Sequence, residues 1–354
     1  MLKEKNTAVI VLTPAAKEIA LKLKAEYRHL DLYLPAKLDK ENENSFSFTS
    51  LSSLAAKIFK EYDALIFIMA LGIVVRIIAP LLESKKSDPA VLTVDDTAQN
   101  VISTLSGHLG GANQLTAEIA EFLKARPVIT TATDCNNQLA VDLLAQRLDC
   151  KIKPFCRLKK ANGALLFGRD LHIFSDYKIK IEADDRIKIY SLEQLPEIRN
   201  SQAFEVIISN QKFNLQENQL QLIPRNIVLG IGCRKNTAAA DIRSALDSLL
   251  AELNLLRASI KKIATIDLKK EEAGIRELAA ENSWPLEIVP VEEIKEIEAD
   301  LEIKKSDFVK KITGAAAAAS PAAILASAAG KLIVDKKKYE GITLSVFEEE
   351  VTDE

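Results

Sequence analysis

Ala64-Leu-Ile-Phe-Ile-Met69 is the stretch of this sequence that decides the fold. Six consecutive apolar residues without alternation are typical of a strand that is buried on both faces, as in a parallel sheet covered by helices. Ala8–Leu12 and Ala90–Val94 have the same character, and a helical pattern over Ala15–Glu26 follows the first of them. Strands that alternate with helices predict an α/β fold for this part of the chain.

The length of 354 residues suggests two or three domains, at roughly 150 residues per domain. The alternation of strands and helices predicts an α/β domain over residues 1–149. Short strand-like pieces with few helical patterns predict a smaller, strand-rich middle domain over 150–225, and residues 226–354 return to α/β. We therefore expect two parallel-sheet α/β domains flanking the middle one, with an acidic tail, 348–354, that is frayed.

The composition favours a globular cytoplasmic protein that does not bind nucleic acid or membranes. Hydrophobic residues make up 48% and charged residues 27%, and the net charge of −3 gives no field that favours either partner. Four cysteines without C-x2-C spacing are typical of reduced thiols. Residues 312–330 carry no charge but are mostly alanine, which predicts a closely packed helix and not a membrane span.

The segment Ser103-Thr-Leu-Ser-Gly-His-Leu-Gly-Gly-Ala-Asn113 has the strongest chemical signal. Its glycines let the backbone approach a ligand closely, and its histidine can exchange a proton near neutral pH. We expect Asn113 to cap a helix over Gln114–Lys124, whose free N–H groups favour an anion or a developing oxyanion. The alternative is an ordinary strand-to-helix turn with an incidental histidine.

Two aspartates follow predicted strands near this loop. Asp95, His108 and Asp134 could converge as an acid/base group around a bound water. Asp134 could equally cap the next helix, which is the commoner role of an isolated aspartate.

Cationic residues follow two other predicted strands. Gly72 ends the buried strand, and Arg76 lies just beyond it, where ligands of open α/β sheets bind; a surface arginine in a turn is the alternative. Gly230-Ile-Gly-Cys-Arg-Lys235 lacks the third glycine of a dinucleotide fingerprint, so we reject that function. Arg234, Lys235 and Lys269 suit carboxylates instead. No zinc-peptidase, hydrolase-elbow or C-x-x-C motif is present, and we predict no metal site on the protein.

Taken in order, these segments resemble the cobalamin biosynthesis protein family CbiG, whose members are cobalt-precorrin-5A hydrolases. The resemblance covers most of the chain and is weak only in the middle domain. The segments that carry it are Ile66–Arg76 with Ile78-Ala-Pro80, Lys85 with Asp88–Val91, Ile102–Asn113, Pro127–Asp134, Leu229–Arg234, Thr265–Lys269 with Glu272, and Lys331–Thr343.

The resemblance implies the substrate and the reaction. The substrate is a cobalt-containing tetrapyrrole with many carboxylates, and the reaction opens a δ-lactone and releases the methylated bridging carbon as acetaldehyde. The substrate carries the cobalt, so no further cofactor is expected. We hypothesise that His108 activates water, that Asp95 or Asp134 orients it, and that N–H groups around Gly110 and Gly111 hold the oxyanion. The predicted substrate-binding residues are Gly72, Arg76, Lys85, Ser106, Asn113, Gly230, Gly232, Arg234, Lys235, Thr265, Lys269 and Glu272.

Two other functions stay open at this point. Ser320 stands about where the family commonly carries a glutamate, which favours a non-catalytic carrier of a corrinoid intermediate. A general lactone or ester hydrolase is the third candidate. A homodimer or a contact with neighbouring pathway enzymes also stays open.

Overall fold

The computed structural model describes residues 2, 5–39, 44–85, 87–132, 138–181, 184–198, 202–297 and 319–353. These residues form two compact units, residues 1–143 and residues 144–354. The first unit contains one sheet and the second contains two, and each sheet is drawn from one of the three ranges that the sequence suggested as domains.

The first unit is built on a seven-stranded sheet with the order β3-β2-β1-β4-β5-β6-β7. All neighbouring strands are parallel except β5 and β6. Only five residues, 95–99, join these two strands, which is too short for the crossover that parallel pairing needs. The strands are β1 (Thr7–Val11), β2 (Asp31–Pro35), β3 (Phe46–Phe48), β4 (Ala64–Ile68), β5 (Ala90–Val94), β6 (Asn100–Leu105) and β7 (Arg126–Val128).

Helices cover both faces of this sheet, which explains the unbroken apolar run in β4. Ile66 and Ile68 face one core, and Leu65 and Phe67 face the other. The first core includes residues of α1 and α4, and the second includes residues of α2 and α3. The helices are α1 (Pro14–Glu26), α2 (Leu51–Ile58), α3 (Leu71–Ile78), α4 (Ala112–Leu123) and α5 (Val141–Arg147), the last of which crosses the boundary between the units.

The direction of β6 decides where the loops of the first unit lie. Because β6 runs against β5, Leu105 pairs with Val91 near the start of β5. The carboxyl ends of β6 and β7 therefore lie at the edge where β1, β4 and β5 begin. The turn at 95–99 lies at the opposite edge, about 17 Å away along β6 at about 3.4 Å per residue.

The second unit begins with a five-stranded sheet of order β10-β9-β11-β12-β8, in which only β12 and β8 are antiparallel. Helix α6 (Leu158–Leu166) packs its buried residues Leu158, Ala161 and Leu165 toward the sheet. The strands are β8 (Cys150–Lys153), β9 (Leu171–Ser175), β10 (Ile187–Tyr190), β11 (Phe204–Ile208) and β12 (Gln219–Pro224).

The other sheet of this unit has the order β15-β14-β13-β17-β16. The pairs β13–β14 and β14–β15 are parallel, whereas β17 is antiparallel to both of its neighbours. Its strands are β13 (Ile227–Cys233), β14 (Ile260–Ile266), β15 (Leu286–Val289), β16 (Gly330–Tyr339) and β17 (Ile342–Glu349). Its helices are α7 (Ala239–Glu252), α8 (Ala273–Asn282), α9 (Val291–Ile297) and α10 (Ala319–Leu325).

The predicted α/β class is confirmed by three mostly parallel sheets with helices, with local differences. The sheets are mixed and not purely parallel, because short connections force antiparallel pairing at β5–β6 and β16–β17. Residues 178–181, one of the strand-like pieces on which the prediction for the middle domain rests, form no strand. The prediction of a frayed tail is wrong. Glu349 is buried in β17 and pairs with Lys261, and Asp353 is buried beside Arg147.

A polar row crosses the middle sheet on one face. Lys188, His172, Glu205 and Gln219 are direct neighbours on β10, β9, β11 and β12. The Gln219 amide donates to the buried Glu205 carboxylate at 2.6 Å, whereas neither ring nitrogen of His172 has a hydrogen-bond partner in the described part of the chain. Burial lowers the pKa of His172, and the Lys188 ammonium lowers it further, against the opposing effects of Asp170 and Glu205.

We expect this histidine to make the protein acid-sensitive. The unfolded chain takes up a proton at His172 near pH 6.5, whereas the folded chain takes it up only at lower pH. Stability from this group is present above pH 6.5 and is lost as the pH falls below that value. Thermal unfolding midpoints at pH 7.5 and 5.5 should fall less for His172→Leu than for the wild type. Equal falls in the two proteins would show that His172 does not contribute.

Candidate active site

The carboxyl ends of β6 and β7 hold the candidate active site of the first unit. The loop after β6 reverses the chain into α4 through two backbone bonds, from Ala112 N–H to Ser106 O at 3.1 Å and from Asn113 N–H to Gly107 O at 2.9 Å. Ser106 has a φ of 57°, which is strained for a residue with a side chain. A Cβ on Gly110 would lie 2.4 Å from Ser106 Cβ, so this tight loop requires glycine there.

Asn113 has a different role from the predicted cap. Helix α4 begins one residue earlier, at Ala112, after Gly111 in the left-handed conformation with a φ of 81°. The buried Asn113 side chain accepts a hydrogen bond from Ser103 Oγ at 2.6 Å and donates to Thr131 Oγ1 at 2.7 Å. Asn113 thus links β6, α4 and the segment after β7 through its side-chain hydrogen bonds. It holds the loop in shape and does not cap the helix.

His108 lies in this loop beside a carboxylate that the sequence reasoning missed. Its Nδ1 is 3.3 Å from Oδ2 of Asp142, in the first turn of α5, and both side chains are largely buried, with exposed fractions of 13% and 5%. A carboxylate at Nδ1 holds the proton on that nitrogen and the lone pair on Nε2, which is the arrangement of a general base. In sequence, Asp142 has only the signal of any acidic residue in a first helical turn.

Asp95 does not meet His108, because the reversal of β6 places the two residues at opposite edges of the sheet. Burial of Asp95 raises its pKa, but hydrogen bonds from Thr97, Asn100 and Gln99 outweigh this effect and lower the pKa to about 2. Asp95 is therefore an ionised residue that shapes the β5–β6 turn. The other predicted partner, Asp134, lies outside the described residues.

The predicted oxyanion donors differ from each other. Gly111 N–H donates to His108 O at 2.8 Å, so this group already has an acceptor within the loop. Gly110 O accepts from the half-buried Lys5 ammonium at 2.8 Å. Of the two N–H groups, that of Gly110 is the one that the described hydrogen bonds do not use.

The predicted cationic residues of this unit lie along one continuous segment. The buried strand ends at Ile68, and Gly72 lies inside helix α3 instead of ending the strand as predicted. Arg76 Nη1 donates to Gly72 O at 3.4 Å, one turn earlier. The chain then reaches Lys85 in a turn held by Asp88, whose carboxylate accepts from the N–H groups of residues 83 and 84. Ser106 Oγ donates to Asp88 O at 3.0 Å, so this turn lies next to the His108 loop.

A second cluster of predicted residues lies in the other unit, at the carboxyl ends of β13 and β14. Lys269 Nζ is 3.1 Å from Glu272 Oε1, and the second oxygen of this carboxylate accepts from Asn236 N–H at 3.0 Å. Burial raises the pKa of Glu272, but Lys269, the Asn236 N–H and Lys235 lower it more. Lys269 is thus already neutralised, which leaves Arg234 and Lys235 as the cations of this cluster for a carboxylate ligand.

Three other residues that the sequence predicts to bind substrate lie near this cluster, and their surroundings differ. A Cβ on Gly230 would lie 2.0 Å from Ala319 O, so this glycine lets α10 pack against β13. Thr265 is fully buried and donates to Ile231 O at 2.8 Å, so both residues hold neighbouring elements of the fold together, and their contact with substrate stays a prediction. Gly232 is different, since a Cβ there would meet no atom closer than 4.0 Å.

Ser320, where the resemblance leads one to expect glutamate, is buried in α10 and donates to Asp335 O. Among the residues that the structure describes, no group of three or more His, Cys, Asp or Glu is placed to hold a metal ion. Within the same residues, no helix has both the length and the apolar character needed to cross a membrane.

Three adjoining stretches of the chain match known sequence families. Residues 53–134 match the N-terminal part of cobalamin synthesis G, residues 139–224 match the cobalamin biosynthesis central region, and residues 227–347 match the C-terminus of cobalamin synthesis G. His108 lies in the first of these stretches and Asp142 in the second.

Relatives of known name are similar over nearly the whole chain. The sequence is 34% identical to the cobalt-precorrin-5A hydrolase of Priestia megaterium, over 96% of this chain and 94% of the relative. It is 34% identical to the cobalt-precorrin-5A hydrolase of Salmonella typhimurium, over 98% of both chains. A crystal structure of a cobalamin biosynthesis protein G homologue from Sulfolobus solfataricus is 25% identical, with a TM-score of 0.40 over 98% of this chain and 99% of that one.

Proposed function

The chain belongs to the cobalamin synthesis G family, and we propose that it is a cobalt-precorrin-5A hydrolase that opens the δ-lactone of its substrate and releases acetaldehyde. The observation that carries the proposal within the molecule is the contact between His108 and Asp142. It supplies an imidazole base in a glycine-rich loop, and hydrolysis of a lactone requires a base that activates water.

Each proton has a defined place in the proposed reaction. Asp142 holds the Nδ1 proton of His108, and Nε2 takes a proton from the water that attacks the lactone carbonyl. We assign the N–H of Gly110, which no hydrogen bond between the described residues uses, to the oxyanion. When the ring C–O bond breaks, Nε2 returns its proton to the departing oxygen, which leaves an alcohol and a carboxylic acid that then releases its proton to solvent.

Release of acetaldehyde follows from the alcohol. Transfer of its hydroxyl proton to Nε2 of His108, which is unprotonated again after the lactone has opened, forms the C=O bond of acetaldehyde and breaks the bond from this carbon to the macrocycle. The electron pair of the broken bond passes into the conjugated macrocycle, which carries the cobalt as part of the substrate. The chain therefore needs to supply only proton transfer and positioning for this step.

Cations in the first unit, and separately in the second, suit carboxylate groups of the kind that such a substrate carries. Arg76 and Lys85 lie on the segment that adjoins the His108 loop, and Arg234 and Lys235 follow β13. Contacts with carboxylates remote from the reacting carbon provide the free energy that positions the lactone. For this reason we expect negligible turnover of small lactones.

The test is a coupled assay for acetaldehyde with purified protein and cobalt-precorrin-5A. The proposal predicts one acetaldehyde per substrate consumed and a change in the absorbance of the macrocycle. A carrier would change the absorbance on binding without acetaldehyde, and this result would overturn the proposal. Turnover of simple δ-lactones at a comparable rate would indicate a general hydrolase instead.

A further inference from the structure

Helix α3 has an apolar sequence, Leu71-Gly-Ile-Val-Val-Arg-Ile-Ile78, yet much of it is exposed. Val74 and Ile78 are buried in the core beneath it. In contrast, Val75 is 48% exposed, Leu71 39% and Ile73 38%. A surface helix normally has polar residues on its outer side, so an apolar outer side is typical of a binding surface.

Arg76 places a positive charge on this apolar surface. Its guanidinium lies over Gly72, where a Cβ would be 3.6 Å from Nη1. The bond to Gly72 O is long, at 3.4 Å, and no carboxylate within the described residues forms an ion pair with Arg76. An apolar surface with one cation is complementary to a ligand that combines an apolar face with peripheral carboxylates.

The surface continues toward the candidate active site. After α3 the chain passes Leu82, which is 45% exposed, and enters the turn that contains Lys85 and Asp88. Ser106, which is two residues before His108, donates a hydrogen bond to the carbonyl oxygen of Asp88. A ligand on α3 would thus extend along one chain segment toward the base.

We propose that the exposed side of α3 formed by Leu71 and Val75, which are four residues apart, with Arg76 beside them is the surface on which the face of the tetrapyrrole macrocycle rests. This inference rests on the proposed function, because it takes the occupant to be the hydrolase substrate. The aliphatic side chains contact the macrocycle face and remove apolar area from water, while Arg76 binds a carboxylate at its edge. These residues set affinity and orientation and take no part in proton transfer.

The substitution Val75→Glu tests the surface, because it places a negative charge among the aliphatic side chains and opposes a polycarboxylate. We expect KM to rise at least tenfold while kcat stays within about threefold. Binding of cobalt-precorrin-5A, followed by absorbance, should weaken by the same factor. Phe167→Glu is the matched control, since Phe167 is an 85% exposed apolar residue at the end of α6, and it should leave both constants unchanged.

An unchanged KM in Val75→Glu would overturn the inference. So would sedimentation data in which the wild type is a dimer, the variant is a monomer and KM is unaltered, because α3 would then be an interface between two copies. If the wild type binds cobalt-precorrin-5A but releases no acetaldehyde, the proposed function fails while the binding measurement still tests α3. Equal thermal unfolding midpoints for variant and wild type establish that the variant is folded.

Discussion

Replacing His108 by alanine is expected to slow acetaldehyde release from cobalt-precorrin-5A by about 10²- to 10⁴-fold, the range that a general base contributes. The imidazole is the one group in the glycine-rich loop that can take a proton from water at neutral pH. Substrate affinity should change little, because the cations that we assign to carboxylates lie elsewhere. The measurement is kcat from the coupled aldehyde assay together with binding by absorbance.

The substitution Asp142→Asn tests whether Asp142 sets the position of the proton on His108 or only stabilises the fold around it. An asparagine amide can donate to Nδ1 and so favours the tautomer with its proton on Nε2, which cannot accept a proton from water. We expect a loss of kcat approaching that of His108→Ala, with KM retained and the acidic limb of the pH profile displaced. His29→Ala is the control, since the Nε2 atom of that histidine contacts Leu2 O. Full activity in Asp142→Asn would contradict the role of Asp142.

The second large effect is on stability and concerns Gly230. An alanine Cβ there would lie 2.0 Å from the backbone oxygen of Ala319 and 2.8 Å from its carbonyl carbon, so α10 must move away from β13. Backbone atoms cannot be relieved by a rotamer change, and overpacking of this severity costs about 3 kcal/mol or more. We expect Gly230→Ala to lower the thermal unfolding midpoint sharply or to prevent accumulation of folded protein.

Gly232→Ala is the matched control, two residues along the same strand. The nearest atom to its Cβ would be Thr343 Cβ at 4.0 Å, which is ordinary contact. Both glycines lie in extended backbone of β13, so backbone entropy changes equally in the two variants and the difference reports the contact with α10. Similar midpoints for Gly230→Ala and Gly232→Ala would show that α10 does not pack as described.

Much of the fold follows from local sequence patterns. The apolar runs of β1, β4 and β5 and the helical pattern of α1 are short-range signals, and the elements form where these signals predict them. Helix α3 escaped prediction because an apolar octapeptide after a strand gives no polar face to reveal the helical period. Strand β6 escaped because its Ser and Thr residues resemble a loop.

The part of the candidate site that depends on neighbouring residues could also be predicted from the sequence. His108 and its glycines are adjacent in sequence, and the need of a tight turn for glycine is a local property. The partner of His108 is not local. Asp95 and Asp142 look alike in sequence, and only the antiparallel pairing of β6 with β5 sends the first to the far edge and leaves the second within 3.3 Å.

By itself the sequence determined the α/β class, the glycine-rich loop with its histidine and the family resemblance, because each depends on residues that are neighbours in the chain. The tertiary structure alone decided which carboxylate meets His108, that Thr265 and Gly230 stabilise the fold, and that α3 exposes an apolar surface. The physical reason is that strand direction and helix packing are fixed by hydrogen bonds and contacts between residues far apart in the chain. A local sequence pattern does not specify which distant residue each of these residues will contact.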